Sequence, residues 1–204
     1  MMDDLDEEER NHLATNIAWL ESAGPEDWHR VALDFNWSKP LYLLDWIVRQ
    51  AECDVATALT IFWKGEPAYW LDKEGLSSER PNGFSYLNKK ICAYIAGRVG
   101  AGGYTRSKIA YVPDTLMKKD YVDLAAEEKR LENPSFHAHP HLIRERRGHR
   151  VVNDAKFYSR YPEDFRHSFD YELPGDTPLS IAIMESVRQV EQAVLRLLPS
   201  WLRS

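Results

Sequence analysis

The sequence predicts a mainly α-helical fold: a single-domain helical bundle with a long polar segment before its C-terminal helix. Apolar side chains recur at the i, i+3, i+4, i+7 spacing of helices in several segments. Residues that begin helices, such as Asp, Thr and Pro, stand just ahead of these runs. Only one short segment, Lys108–Val112, has strand character, so at most one short hairpin is expected. With 204 residues, the chain can bury roughly 70% of its unfolded surface.

Three parts are expected along the chain. Residues 1–134 form a helical core, residues 135–176 an ordered polar loop region, and residues 177–204 a C-terminal helix that packs on the core. Thr177 caps that last helix, and Pro178 occupies its first turn. Five of the seven histidines fall in the polar region, which is punctuated by prolines and is expected to lie over the core.

The first two helices are predicted from their ends. Asp3 or Asp4 is expected to cap the first helix, which Gly24-Pro25 ends. The acidic residues that follow the cap suit the positive end of the helix dipole. Pro25 is then expected as the first residue of the second helix. The inward faces are Leu13, Ile17 and Leu20 in the first helix, and Trp28, Val31, Ala32 and Phe35 in the second.

The third and fourth helices are predicted in the same way. Ser38 is expected to cap the third helix, with Pro40 in its first turn. Asp54 is expected to cap the fourth, because its carboxylate can accept from the free amides of the next turn. The fourth helix carries a stripe at helical spacing that is expected to be buried: Val55, Ala58, Leu59, Phe62 and Trp63.

Three further helices are expected before the polar region. Residues 67–72 predict a short helix, and Ser85 is expected to cap the next one. The four glycines of residues 97–103 suggest a phosphate-binding loop, but no Gly-Lys-Ser/Thr follows them. We therefore interpret them as a helix exit. Asp114 is expected to cap a helix that ends at Asn133-Pro134.

The cysteines and the N-terminus indicate a cytoplasmic protein. Cys53 stands between Glu52 and Asp54, whose charges would raise the pKa of its thiol, so a nucleophilic role is disfavoured. Cys53 and Cys92 are expected to be reduced core thiols. The N-terminal MMDDLDEEER is acidic, unlike a secretory signal. The longest uncharged apolar run, Val55–Trp63, is far shorter than the roughly 20 residues that span a bilayer, so no membrane segment is expected.

Charge is distributed unevenly along the chain. Residues 1–79 carry 17 acidic and 6 basic side chains, and residues 80–204 carry 15 acidic and 20 basic ones. The two parts therefore have net charges of −11 and +5. Such a field would steer a basic partner toward the first part, dock the two parts together, or pair protomers head to tail. Solvated helix faces without any partner are the simpler interpretation.

Two polar motifs carry chemistry. In an extended segment, the imidazoles of His137, His139 and His141 would share one side and bind a transition metal. This favours a metal-dependent hydrolase or a metal-stabilised domain as the alternative function, although no HExxH or other carboxylate motif completes the site. Arginines dominate residues 144–150 and would clamp phosphates, an acidic partner or the acidic first helix of the same chain. A pI near 5.7 disfavours nucleic acid.

Residues from about Asp27 to Asp114 resemble the bacterial domain of unknown function 4274. The resemblance rests on Phe35-Asn36-Trp37, Trp46-Ile47, Cys53-Asp54, Thr57-Ala58-Leu59, Phe62-Trp63, Tyr104, Ile109, Tyr111 and Pro113-Asp114. Ser38-Lys39-Pro40 stands where members of that family have Asp-Asp or Asp-Gly. The resemblance implies a small, mainly helical intracellular domain with no assigned catalytic residues. No cofactor is expected, apart from the transition metal that the three histidines would bind. Bacterial domains of this size and acidity are similar to the immunity proteins that guard against polymorphic toxins.

The sequence therefore predicts a protein-binding module and no enzyme. It contains no GxSxG, no Walker-type loop and no Rossmann fingerprint. An immunity-type protein that occludes a basic toxin enzyme fits the acidic first part, and a homodimer is a further expectation. The residues expected to contact a partner are acidic, aromatic or basic: Asp6, Glu7, Glu8, Glu9, Tyr42, Trp46, Tyr69, Trp70, Arg144, Arg146 and Arg147.

Overall fold

A computed structural model describes residues 6–72, 84–152 and 160–162. Within these residues the chain is mainly helical, as predicted, and has no strand or sheet. The helices are α1 (Glu7–Ser22), α2 (Pro25–Asp34), α3 (Tyr42–Arg49), α4 (Val55–Lys64), α5 (Phe84–Gly100) and α6 (Thr115–Glu128), with 3₁₀ helices at Pro67–Trp70 and Pro140–Ile143. The predicted C-terminal helix, residues 177–204, lies outside the described residues.

The first helix begins later than predicted. Its cap is Asp6, whose carboxylate accepts from the Glu9 amide at 2.8 Å. The Glu9 carboxylate accepts in turn from the Asp6 amide at 3.1 Å, which completes a capping box. The prediction of Asp3 or Asp4 as the cap was wrong, because the helix begins at Glu7 and Asp6 and Glu9 form its capping box. The second helix begins at Pro25, as predicted.

Ser38 does not cap the third helix. Its amide and its hydroxyl both donate to the Asn36 side-chain oxygen, at 2.8 Å and 2.6 Å. This local turn engages the Ser38 hydroxyl, so α3 begins only after Leu41 and has no side-chain cap. Ser38 therefore takes part in a turn with Asn36 and does not cap α3.

Two other helix ends differ from the prediction. The fifth helix begins at Phe84, so Ser85 lies inside it, and it continues through Gly97 to Gly100. Asp114 caps the sixth helix as predicted, with its carboxylate accepting from the Met117 amide at 2.8 Å. That helix ends at Glu128, before the expected Asn133. The amides of residues 130 and 131 donate to the carbonyls of residues 127 and 128, and this three-residue spacing of a 3₁₀ turn closes the end of the helix.

The fourth helix lies at the centre of the core. It packs against α2, α3, α5 and the first 3₁₀ helix. All of its side chains except Thr60 and Lys64 are buried. The buried face of this helix is therefore wider than the stripe predicted from the sequence. Cys53 and Cys92 are buried free thiols, as predicted, and burial raises the pKa of Cys53 to about 12. Neither thiol is therefore ionised near neutral pH.

The predicted strand segment pairs with the polar loop. Tyr111 and Arg146 exchange two backbone hydrogen bonds, and the Ala110 amide donates to the His149 carbonyl at 2.9 Å. These contacts are isolated bridges and do not extend into strands. A Cβ atom at Gly148 would collide with the Lys108 carbonyl, so glycine permits this close approach. Residues 135–152 thus lie against the core, and Phe136, Leu142 and Val151 are buried there.

The Asp54 carboxylate joins the fourth helix to residues 106–109. It is fully buried, and one oxygen accepts from the Ala56 amide at 2.9 Å as the helix cap. The other oxygen accepts from the Lys108 amide at 2.7 Å and from the Ile109 amide at 3.2 Å. The Arg106 guanidinium lies 3.9 Å away and supplies a compensating positive charge. One side chain therefore satisfies backbone donors that are about 50 residues apart in the chain.

In the described residues, no helix is long and apolar enough to cross a membrane.

Replacing Asp54 with asparagine is expected to destabilise the fold by about 2 to 4 kcal/mol. An amide has one acceptor oxygen, so at least one of the three backbone amides loses its partner. Urea unfolding measures the effect. The matched control is Asp114→Asn, at another helix cap, which is exposed and makes a single capping bond. That variant should lose less than about 1 kcal/mol, because asparagine caps helices well. Equal losses would contradict the double role of Asp54.

Candidate partner-binding surfaces

The acidic start of α1 is exposed, but its four carboxylates are not equivalent. Asp6 and Glu9 are occupied by the capping box. Glu7 and Glu8 line a surface depression of about 400 Å³ together with Asn11, His12 and Thr15, named here the α1 depression. The Glu8 carboxylate lies 3.6 Å from the His12 ring. Glu7 and Glu8 are therefore the acids of the first turn that do not take part in the capping box.

Several other acids of the first part are neutralised within the fold. Asp27 is buried and lies 2.8 Å from Arg30 and 2.9 Å from Arg160. Asp45 is buried and accepts from the Arg49 guanidinium at 2.7 Å. The excess acid of residues 1–79 is therefore not spread evenly over the surface.

The four predicted aromatic contacts have different environments. Tyr42 and Trp46 are half-buried against the core, and the Trp46 ring meets the edge of Trp28 at 5.5 Å between centroids. Tyr69 is 71% exposed. Trp70 is only 6% exposed, and its indole donates to the Gly65 carbonyl at 2.7 Å. Tyr69 presents the most accessible ring of the four, whereas Trp70 is a core side chain.

The predicted arginines lie on the polar loop that faces residues 108–111. Arg144 and Arg147 are exposed. Arg146 is half-buried, and burial together with the neighbouring Arg144 charge lowers its pKa. Within the described residues none of the three forms an ion pair with a carboxylate, so the expected pairing with the first helix is not present there. The loop instead contacts α2 through His149, whose ring lies 2.9 Å from the Glu26 carboxylate.

The three histidines of residues 137–141 have separate partners. His137 is exposed, and its ring lies 2.6 Å from the Glu128 carboxylate, which also accepts from the Ala138 amide at 2.8 Å. Partial burial raises the pKa of Glu128, but these two donors outweigh it and the pKa lies below its ordinary value. His139 accepts from the His141 amide, and their rings are in edge contact. Among the described residues, no three His, Cys, Asp or Glu side chains are grouped to hold a metal.

Sequence reasoning missed the buried pair of His29 and Thr57. His29 is 5% exposed, and its Nδ1 atom lies 3.1 Å from the Thr57 hydroxyl. Burial lowers the pKa of His29 to about 4, so the imidazole is neutral at pH 7. The signal available in the sequence is position: His29 follows Trp28 and precedes Ala32 by three, which places it on the inward face of α2.

His29 is expected to make the fold acid-sensitive. Its pKa is about 4 in the folded protein and near 6.5 in the unfolded chain. As pH falls between these values, only the unfolded chain takes up the proton, so stability is lost. Between about pH 7 and pH 4.5, the unmodified protein should lose about 2 to 3 kcal/mol more than His29→Gln. Urea unfolding at both pH values measures this. His12→Gln, at an exposed histidine, should retain the full pH dependence; the same reduction in both variants would refute the assignment.

Comparison with known proteins places the central helices in one family. Residues 23–84 match the family model described as Domain of unknown function (DUF4274). The matched range contains α2, α3, α4 and the first 3₁₀ helix. It also contains His29, Asp54 and Thr57, whereas Tyr104 and residues 109–114, which contributed to the expected resemblance, lie beyond it. No curated protein and no solved structure matches the chain. The resemblance to the domain of unknown function family DUF4274 is therefore confirmed for residues 23–84.

Proposed function

We propose that this protein is a protein-binding module of the immunity type, which acts in the cytoplasm and occludes a basic toxin-like enzyme. The observation that supports it is the α1 depression, where the Glu7 and Glu8 carboxylates stand at an exposed concave surface. A lysine or arginine head group from a partner would meet both acids there. Occlusion of this kind needs no catalytic residue in the inhibitor.

The start of α1 is a suitable docking surface because several other acids of residues 1–79 are paired within the fold. Asp27 and Asp45 are matched by arginines inside the fold, so they contribute little to the outer field. Asp6 and Glu9 face each other's backbone amides. Glu7 has no such partner in the described residues. Glu7 and Glu8 are thus the acids of the first turn that can meet an incoming cation without breaking the capping box.

Electrostatics of this kind acts mainly on the association rate. Exposed ion pairs contribute about 0 to 1 kcal/mol each, because water screens them. Complementary fields nevertheless raise the frequency of productive encounters, and this effect is lost at high salt. Affinity would come from apolar contacts, for which the exposed Tyr69 ring is available.

The double variant Glu7→Gln/Glu8→Gln is expected to slow association with the partner about three- to tenfold at about 50 mM salt, and much less at about 300 mM. Glutamine keeps the size of each side chain and leaves the capping box intact. The partner for this measurement is the protein encoded by the adjacent reading frame, tested first for toxicity on its own. Stopped-flow mixing gives the rate.

The control for this experiment is Glu21→Gln, an exposed acid in the last turn of the same helix. It lowers the acidic charge of α1 without touching the depression, so the association rate should stay within about twofold of the unmodified protein. Equal slowing by both substitutions would show that the α1 depression is not the docking surface. An adjacent protein that is toxic but neither bound nor neutralised would contradict the proposed function itself.

A further inference from the structure

A second concave surface lies beside α2 and α4. This groove has a volume of about 550 Å³ and is formed by α2, α4 and the two segments 110–112 and 150–152. Its size falls within the range of small-molecule sites, about 300 to 1,000 Å³. None of the residues that line it also lines the α1 depression.

The walls of the groove are apolar and remain in contact with water. Val112 is 69% exposed and Val152 is 49% exposed, and both line the groove. Leu33 of α2 faces them as a further aliphatic side chain. Large exposed apolar side chains that converge on one concavity favour an occupant with an apolar body, because its binding would remove their surface from water.

The floor of the groove is polar but uncharged. His29 is neutral at pH 7, and its Nδ1 atom is engaged by the Thr57 hydroxyl. The Thr60 hydroxyl donates to the Ala56 carbonyl at 2.9 Å within α4. The His29 Nδ1 atom and the Thr60 hydroxyl thus already have partners within the fold.

In the part of the chain that the structure describes, one cation at the edge of the groove has no carboxylate partner. Arg30, Arg49 and Arg160 each lie within 3 Å of a carboxylate oxygen. Arg150 lines the groove and is exposed, and within the described residues it has no ion pair. Asp34 also lines the groove, but it already has an interaction within the chain. The edge of an apolar groove therefore offers a guanidinium to an anion.

We propose that this groove binds a small amphipathic carboxylate, with its apolar body against Leu33, Val112 and Val152 and its carboxylate on Arg150. Arginine suits this role because its planar guanidinium donates two parallel hydrogen bonds to a carboxylate. The proposal does not depend on toxin binding, since a different surface carries that function.

The test uses decanoate, below its micelle concentration, as the probe and decanol as its uncharged counterpart. Isothermal titration should show one decanoate site per chain. Decanol should bind about fivefold more weakly, because an exposed charged contact is worth about 1 kcal/mol. Decanoate should also displace the fluorescent anion 1-anilinonaphthalene-8-sulfonate. Absence of a saturable decanoate site, or equal affinity for decanoate and decanol, would overturn the proposal.

Two arginines of one loop give a matched pair of variants. Arg150→Gln should weaken decanoate about fivefold and leave decanol unchanged, whereas Arg147→Gln should change neither, since Arg147 is exposed but does not line the groove. Val112→Ser, at an exposed position, should weaken both probes. Circular dichroism verifies that each variant is folded. Equal losses from Arg150→Gln and Arg147→Gln would indicate a diffuse charge effect and refute the site.

Discussion

The buried Asp54 carboxylate is the contact that fixes residues 108–111, and through them the polar loop, to the central helix. It caps α4, the central helix, and it also holds the amides of Lys108 and Ile109. Those residues continue into Ala110 and Tyr111, whose backbones bind the polar loop at residues 146 and 149. One set of hydrogen bonds between the loop and the core thus runs through the Asp54 carboxylate. The Trp63 indole of α4 also donates directly to the Leu142 carbonyl at 2.8 Å. Loss of that carboxylate has a large cost, because the Ala56 and Ile109 amides that it satisfies are buried.

The two proposed surfaces differ in how much they depend on Asp54. The groove has walls on both sides of the junction that Asp54 makes, because α4 forms one side and residues 110–112 form another. The α1 depression lies instead on a helix whose start is fixed by its own capping box at Asp6 and Glu9. Loss of Asp54 would therefore disturb the groove more than the depression. The two proposed binding activities would then be separable by mutation.

Local signals in the sequence predicted much of the fold, and long-range contacts account for what they missed. Pro25, Asp54 and Asp114 were identified at helix starts because each acts within one turn of itself. Ser38 was misassigned because a closer neighbour took its hydroxyl. The second role of Asp54 and the groove beside His29 join segments that are far apart in the chain. The spacing of residues along the sequence does not predict such long-range contacts. The burial of His29 alone agrees with its position on the inward face of α2.

Native-state hydrogen exchange tests most directly whether Asp54 joins these segments. The Ala56 amide belongs to the first turn of α4, while the Lys108 and Ile109 amides belong to a segment without regular structure. If one carboxylate holds all three, they should open together and exchange with similar free energies of opening, close to that of the α4 core. Exchange of Lys108 and Ile109 at the rate of exposed loop amides, while Ala56 stays protected, would contradict the central role of Asp54.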